Sequence, residues 1–115
     1  MKDNKYLASD WRSLELHQLI AKKINENPLL LNRVTDNLVR WSKMNGGLPQ
    51  ALKEWESIMK DKTWKEIEKI ITSDTQNAAR LRSSTPFTGI LTDEERMEIF
   101  NKWSRKSASH PGVSN

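Results

Sequence analysis

Few residues in this chain have the type and spacing to do chemistry. The two histidines are His17 and His110. His17 stands two residues from Glu15, a separation that puts them on different sides of a helix, and no further ligand accompanies them. A bound metal needs three or four convergent donors, so His17 reads as a helix-surface or core-edge residue. Paired carboxylates are offered by Glu66 with Glu95 and by Asp93 with Glu94. Both sets fall inside Thr-x-x-Glu stretches, Thr63–Glu66 and Thr92–Glu95. There a glutamate closes the first turn of a helix and complements its dipole. Gly46-Gly47 lacks the flanks of a phosphate loop, and no serine sits in a nucleophile-elbow pattern. The expectation is a non-enzymatic protein without cofactor or metal.

Binding is better represented. Residues 65–82 read as helix, short break, helix, with Arg80 and Arg82 on the second piece. A helix-turn-helix would lay that piece in a major groove, although two turns are short for the purpose. Arg96, Lys102, Arg105 and Lys106 add a basic C-terminal patch. The stretch Arg80-Leu-Arg-Ser-Ser-Thr-Pro-Phe-Thr-Gly-Ile-Leu91 places apolar Phe87, Ile90 and Leu91 in a non-helical connection. Two readings stand, and both can hold at once: a buried loop with Phe87 plugging the core, and a protein-binding edge. An aromatic anchor beside arginines is a common hot-spot composition.

The supporting elements are helical throughout. One helix spans about 10–25, capped by Ser9 or Asp10, with Leu16, Leu19, Ile20 and Ile24 on one side. Asn27-Pro28 restarts the chain, and a second helix ends at Asn45-Gly46-Gly47. Pro49 opens a third, in which Leu48, Leu52, Trp55 and Met59 share a face. Thr63 and Thr92 start two more, and a short one fits between Ser73 and Leu81. No segment alternates as a strand does. The predicted fold is all-α, a compact irregular bundle of five to six short helices without a sheet. It occupies residues 10–106, between a flexible N-terminus (1–9) and a disordered tail (107–115). Trp41, Trp55 and Trp64 are expected in the core, with Trp11 or Trp103 partly exposed.

Composition narrows the function classes. A chain of 115 residues with five tryptophans is long enough for one domain with a small core. It has no cysteine, which excludes disulfides and thiolate chemistry and suits a reducing compartment. The first residues have no apolar run of the secretory kind, and no run can cross a membrane, so a cytoplasmic protein is expected. Net charge is +4, distributed as +3 over 1–47 (8 basic, 5 acidic), −1 over 48–76 (5 and 6) and +2 over 77–115 (6 and 4). This spread permits attraction to nucleic acid without requiring it.

Three stretches carry a likeness: Trp11-Arg-Ser-Leu-x-Leu-His-x-Leu-Ile20, Arg80-Leu-Arg-x-Ser-x-Pro-Phe-x-Gly-x-Leu91, and Glu94-Glu-Arg96. In these the chain resembles small all-helical bacterial proteins of the antitoxin and immunity type. The resemblance implies a module that binds and neutralises a partner protein such as a toxin. A toxin acting on RNA would present a basic site, which an inhibitor would meet with acidic residues. Glu54, Glu56, Glu66 and Glu68, in the net-acidic middle, are the expected patch, joined by Arg80, Arg82 and Phe87. A small DNA- or RNA-binding regulator using the basic C-terminal half is the alternative.

Overall fold

The computed structural model describes residues 6–108, and over them the chain is all-helical with no strand. The helices are α1 (Ala8–Glu26), α2 (Leu31–Asn45), α3 (Gln50–Asp61), α4 (Trp64–Ile71), α5 (Gln76–Arg82) and α6 (Asp93–Ala108), with a 3-10 turn at Pro28–Leu30 before α2. His110 and the Lys106 side chain lie outside the described residues, as does the expected tail beyond Ala108.

Local chemistry explains most boundaries. At α4 the Thr63 hydroxyl accepts from the Glu66 amide at 3.2 Å, and the Glu66 carboxylate accepts from the Thr63 amide at 2.9 Å. At α6 the Thr92 hydroxyl accepts from the Glu95 amide at 3.0 Å, and Glu95 returns the bond at 2.8 Å. These reciprocal bonds satisfy amides that a helix start leaves orphaned. Thr75 caps α5 by accepting from the Ala78 amide. Helix α2 ends at Gly46, whose φ of 69° is a conformation that a side chain would disfavour. Helix α1 starts earlier than Ser9 or Asp10 would suggest. Leu7 occupies the cap position, and Asp10, one turn in, accepts the Leu7 amide at 3.0 Å.

Helix α1 is the organising element. It contacts α4, α5 and α6, and α6 runs antiparallel along it. Lys23 bonds Glu95 at 2.7 Å at one end of this seam. At the other, Glu15 accepts from Lys102 at 2.6 Å and from the Trp103 indole at 3.0 Å. The core gathers Ile20, Ala21 and Ile24 of α1 with Val34, Trp55, Ile67, Ile71 and Leu81. Phe87, Ile90 and Leu91 join it from the connection before α6. Trp55 is 0% exposed, and its indole donates to the Leu81 carbonyl at 2.8 Å, as a buried N–H must.

The other tryptophans expected in the core are only half-buried. Trp64 donates to the Asn25 side chain at 2.7 Å, at the rim between α4 and α1. Trp41 lies beneath the Arg40 guanidinium, 6.0 Å from its ring centre. Trp11 is also half-buried and packs against Tyr6 at a tilt of 56°, with ring centroids 4.7 Å apart. The end of the segment expected to be flexible therefore contributes packing from Tyr6 onward.

Candidate functional site

Three buried polar side chains define the interior around the 83–91 connection: His17, Asn37 and Arg82. His17 is 3% exposed, deeper than the surface or core-edge position expected of it. The reason is register: it lies three residues after Leu14 and four before Ala21, on the buried face of α1. Its Nδ1 is 2.7 Å from the Ser13 carbonyl and its Nε2 is 2.9 Å from the Thr85 hydroxyl. A carbonyl only accepts, so Nδ1 carries the proton and Nε2 receives the Thr85 hydroxyl. The Phe87 amide in turn donates to that hydroxyl at 3.1 Å. Burial pushes the His17 imidazole from 6.5 down to about 4, and the Arg82 charge acts in the same sense against the Ser13 bond. His17 is thus a neutral strut for the connection, with both nitrogens engaged.

Asn37 braces the same connection from α2. Its amide group donates to the Pro86 and Thr88 carbonyls, each at 3.0 Å, and its oxygen accepts from Arg40 at 2.9 Å. Replacing Asn37 with alanine orphans two carbonyls in a tightly packed site. The expected cost is roughly 2 kcal/mol, read as a lower urea midpoint with an unchanged slope. A midpoint equal to wild type would show that the connection holds its shape without this brace.

Arg82 corrects an expectation. Offered above as a surface contact, it is 2% exposed. One guanidinium nitrogen donates to the Ser73 carbonyl at 2.7 Å and the Ile71 carbonyl at 3.2 Å, at the C-terminal end of α4. The other donates to the Tyr6 hydroxyl at 2.9 Å, and that hydroxyl donates onward to the Thr75 carbonyl. The Arg82 Nε is buried without a hydrogen-bond partner. The charge sits where the carbonyl end of a helix dipole favours a cation. It serves the joint between α4 and α5 from a buried position.

Phe87 is likewise interior, at 2% exposure. Its ring meets Trp55 edge-on with centroids 5.6 Å apart and His17 at 6.3 Å. Of the two readings of the 83–91 connection, the plug describes Phe87. Pro86 beside it is also buried.

Arg80 is exposed but engaged, donating to both Glu54 oxygens at 2.9 Å and to Asn77. This fork holds the Glu54 carboxyl below the usual range. The Thr63 amide does the same for Glu66. Glu68 accepts from Asn25 at 2.8 Å, with Lys65 at 3.7 Å. Glu56 is exposed on α3. Three of the four glutamates have partners of their own: Glu54 is tied to α5, Glu66 to its own helix start and Glu68 to α1. Lys65 and Lys69 alternate with Glu66 and Glu68 along α4, so charge there is mixed. Helix α5, the would-be recognition helix, has only seven residues and buries Ala78, Leu81 and Arg82. Its exposed arginine, Arg80, is forked to both Glu54 oxygens and to Asn77.

The feature the sequence did not announce is a cleft of about 370 Å³ between α1, residues 85–91 and the start of α6. Leu16, Ile20, Phe87 and Leu91 make it apolar, His17 and Thr85 stand in its wall, and Asp93 and Arg96 mark its mouth. Its residues belong to segments far apart in sequence. Among the described residues no group of three or more histidines or acids is arranged to hold a metal ion. No described helix is long and apolar enough to cross a membrane. No protein-family model matches the chain, and no curated protein or solved structure is detectably similar to it.

Proposed function

We propose that this chain is a non-enzymatic interaction module that binds and inactivates a partner protein, in the manner of an antitoxin or immunity protein. The observation that carries the reading is convergence. The three stretches that resemble such proteins each line the same cleft: Leu16 and Ile20 from the first, Phe87, Gly89 and Leu91 from the second, and Arg96 from the third. Clefts with apolar walls and a few polar groups are ordinary recognition sites. One of the carboxylate pairs and the histidine weighed above carry structural bonds. Glu66 and Glu95 close helix starts, and His17 holds Thr85. On this reading the main contact moves from the glutamates to the cleft, with Glu56 the one of the four that is exposed without a hydrogen bond or ion pair described above.

The test is capture of the partner with the tagged full chain from source cells, followed by assay of the captured protein. Stoichiometric loss of the partner's activity on adding the chain is the expected result. Full activity at saturating chain would overturn the inhibitory reading.

A further inference from the structure

We propose that the cleft between α1, residues 85–91 and α6 seats an apolar side chain carried on an acidic segment of the partner protein. This deepens the interaction reading above and rests on it.

The floor calls for an apolar group, since Leu16, Ile20 and Leu91 surround it. The rim calls for negative charge. Gly89 lies in the wall with φ +84°, and Arg33 of α2 reaches over it: a Cβ placed there would stand 3.4 Å from the guanidinium nitrogen. Arg33 is exposed and makes no ion pair among the described residues. Arg96 stands at the mouth, bonded at 2.9 Å to Asp93 three residues earlier. Their side chains are 53% and 92% exposed, and a pair so open to water is weakly held and free to exchange partners. One turn further along the seam, Arg12 of α1 lies 4.5 Å over the Phe100 ring of α6. Phe100 is 38% exposed, an apolar surface under a cation. Arg33 and Arg96 thus flank the apolar floor, with Asp93 the one acid in its lining.

Neighbouring grooves lack this combination. Across α6, the groove between α1 and α6 sets Glu15 and Glu98 against Lys22 and Lys102. The groove on α4 alternates lysine and glutamate in the same way. Mixed charge favours no one sign of partner. A nucleic-acid strand would also meet the arginines, but it gains much of its hold by stacking bases on open aromatic faces. His17 and Phe87, the aromatic residues of the lining, are both buried, so the cleft favours a peptide. Its wall is held in place by Thr85 on His17 and by Pro86 and Thr88 on Asn37. A pre-shaped site loses little freedom on binding.

The probe is the capped peptide acetyl-Glu-Asp-Leu-Phe-Asp-Glu-amide, titrated into the full chain and followed by two-dimensional amide NMR. The Gly89, Thr88, Leu91 and Arg96 amides are expected to shift together and saturably. The Arg33→Glu, Arg96→Glu double variant is expected to weaken the peptide by about tenfold or more, with its own spectrum reporting that the fold is retained. Peptides with lysine for each acid, or serine for Leu-Phe, are expected to leave these amides still. The proposal is overturned if the acidic peptide moves none of them, if the lysine or serine peptide moves them equally, or if oligothymidylate binds there more tightly. The partner assay separates the two readings. A partner inhibited equally by wild type and double variant removes the cleft's role and leaves the interaction reading standing. Cleft binding by the peptide without inhibition of any captured partner does the reverse.

Discussion

Replacing Phe87 with alanine is expected to destabilise the protein by roughly 3–5 kcal/mol. The ring is buried between Trp55 and His17, and its backbone amide belongs to the Thr85–His17 chain. Losing it removes the apolar contact and leaves a void that these fixed neighbours are poorly placed to fill. A domain of this size is held by about 5–15 kcal/mol in all, so the variant should sit near the edge of folding. Urea unfolding followed by tryptophan fluorescence measures this, since Trp55 reports from the same contact. An exposed anchor would behave differently. Truncating a surface side chain away from special features changes stability by about 0.5 kcal/mol or less. A midpoint close to wild type would therefore return Phe87 to the surface and undo the packing described for residues 83–91.

Acid should weaken the fold well above the range in which carboxylates usually do so. The native His17 imidazole takes a proton only near pH 4, whereas in the unfolded chain it does so near 6.5. Between these values the unfolded state binds more protons, so stability rises with pH. His17's contribution is complete above 6.5, declines as pH falls, and levels off below about 4. Each pH unit across that window is worth about 1.4 kcal/mol, for an integrated loss of about 3 kcal/mol. The glutamates held below their ordinary 4.5 by Arg80, by the Thr63 amide and by Lys23 act only below that value. They release stability as pH falls further, so the two effects separate along the pH axis. Urea midpoints at several pH values should fall steadily from neutrality to pH 4.5 in wild type. They should stay nearly flat over that interval in His17→Gln, both in a His110→Gln background. Parallel curves for the two proteins would exclude His17 as the source.

Helix content was readable because its causes are local. Thr63 with Glu66, Thr92 with Glu95, and Gly46 after Asn45 each lie within one turn, so capping follows from spacing alone. The apolar period placed Trp55 and Ile24 inside for the same reason. The polar interior was harder. His17 and Asn37 fall on the buried faces of α1 and α2, a register visible in principle beside Leu14 and Val34. Residue type argued the other way, because a polar side chain is excluded from a core unless partners await it. Those partners are 68 residues away for His17 and 49 and 51 for Asn37. Arg82 is the extreme case. As one arginine among nineteen basic residues it suggests a contact with phosphate or protein. Its burial depends on where the end of α4 and the Tyr6 hydroxyl, 76 residues distant, come to lie.

The amino-acid order by itself determined the helices and most of their caps, since each rests on contacts within a few residues. Which polar groups were structural, and where recognition surface remained, only the tertiary packing decided. It turned Arg82 and Phe87 inward and tied Arg80 to Glu54 and Glu68 to Asn25. It also brought Leu16, Leu91, Arg33 and Arg96 around one cleft, because α6 folds back along α1 and leaves that side of the seam open.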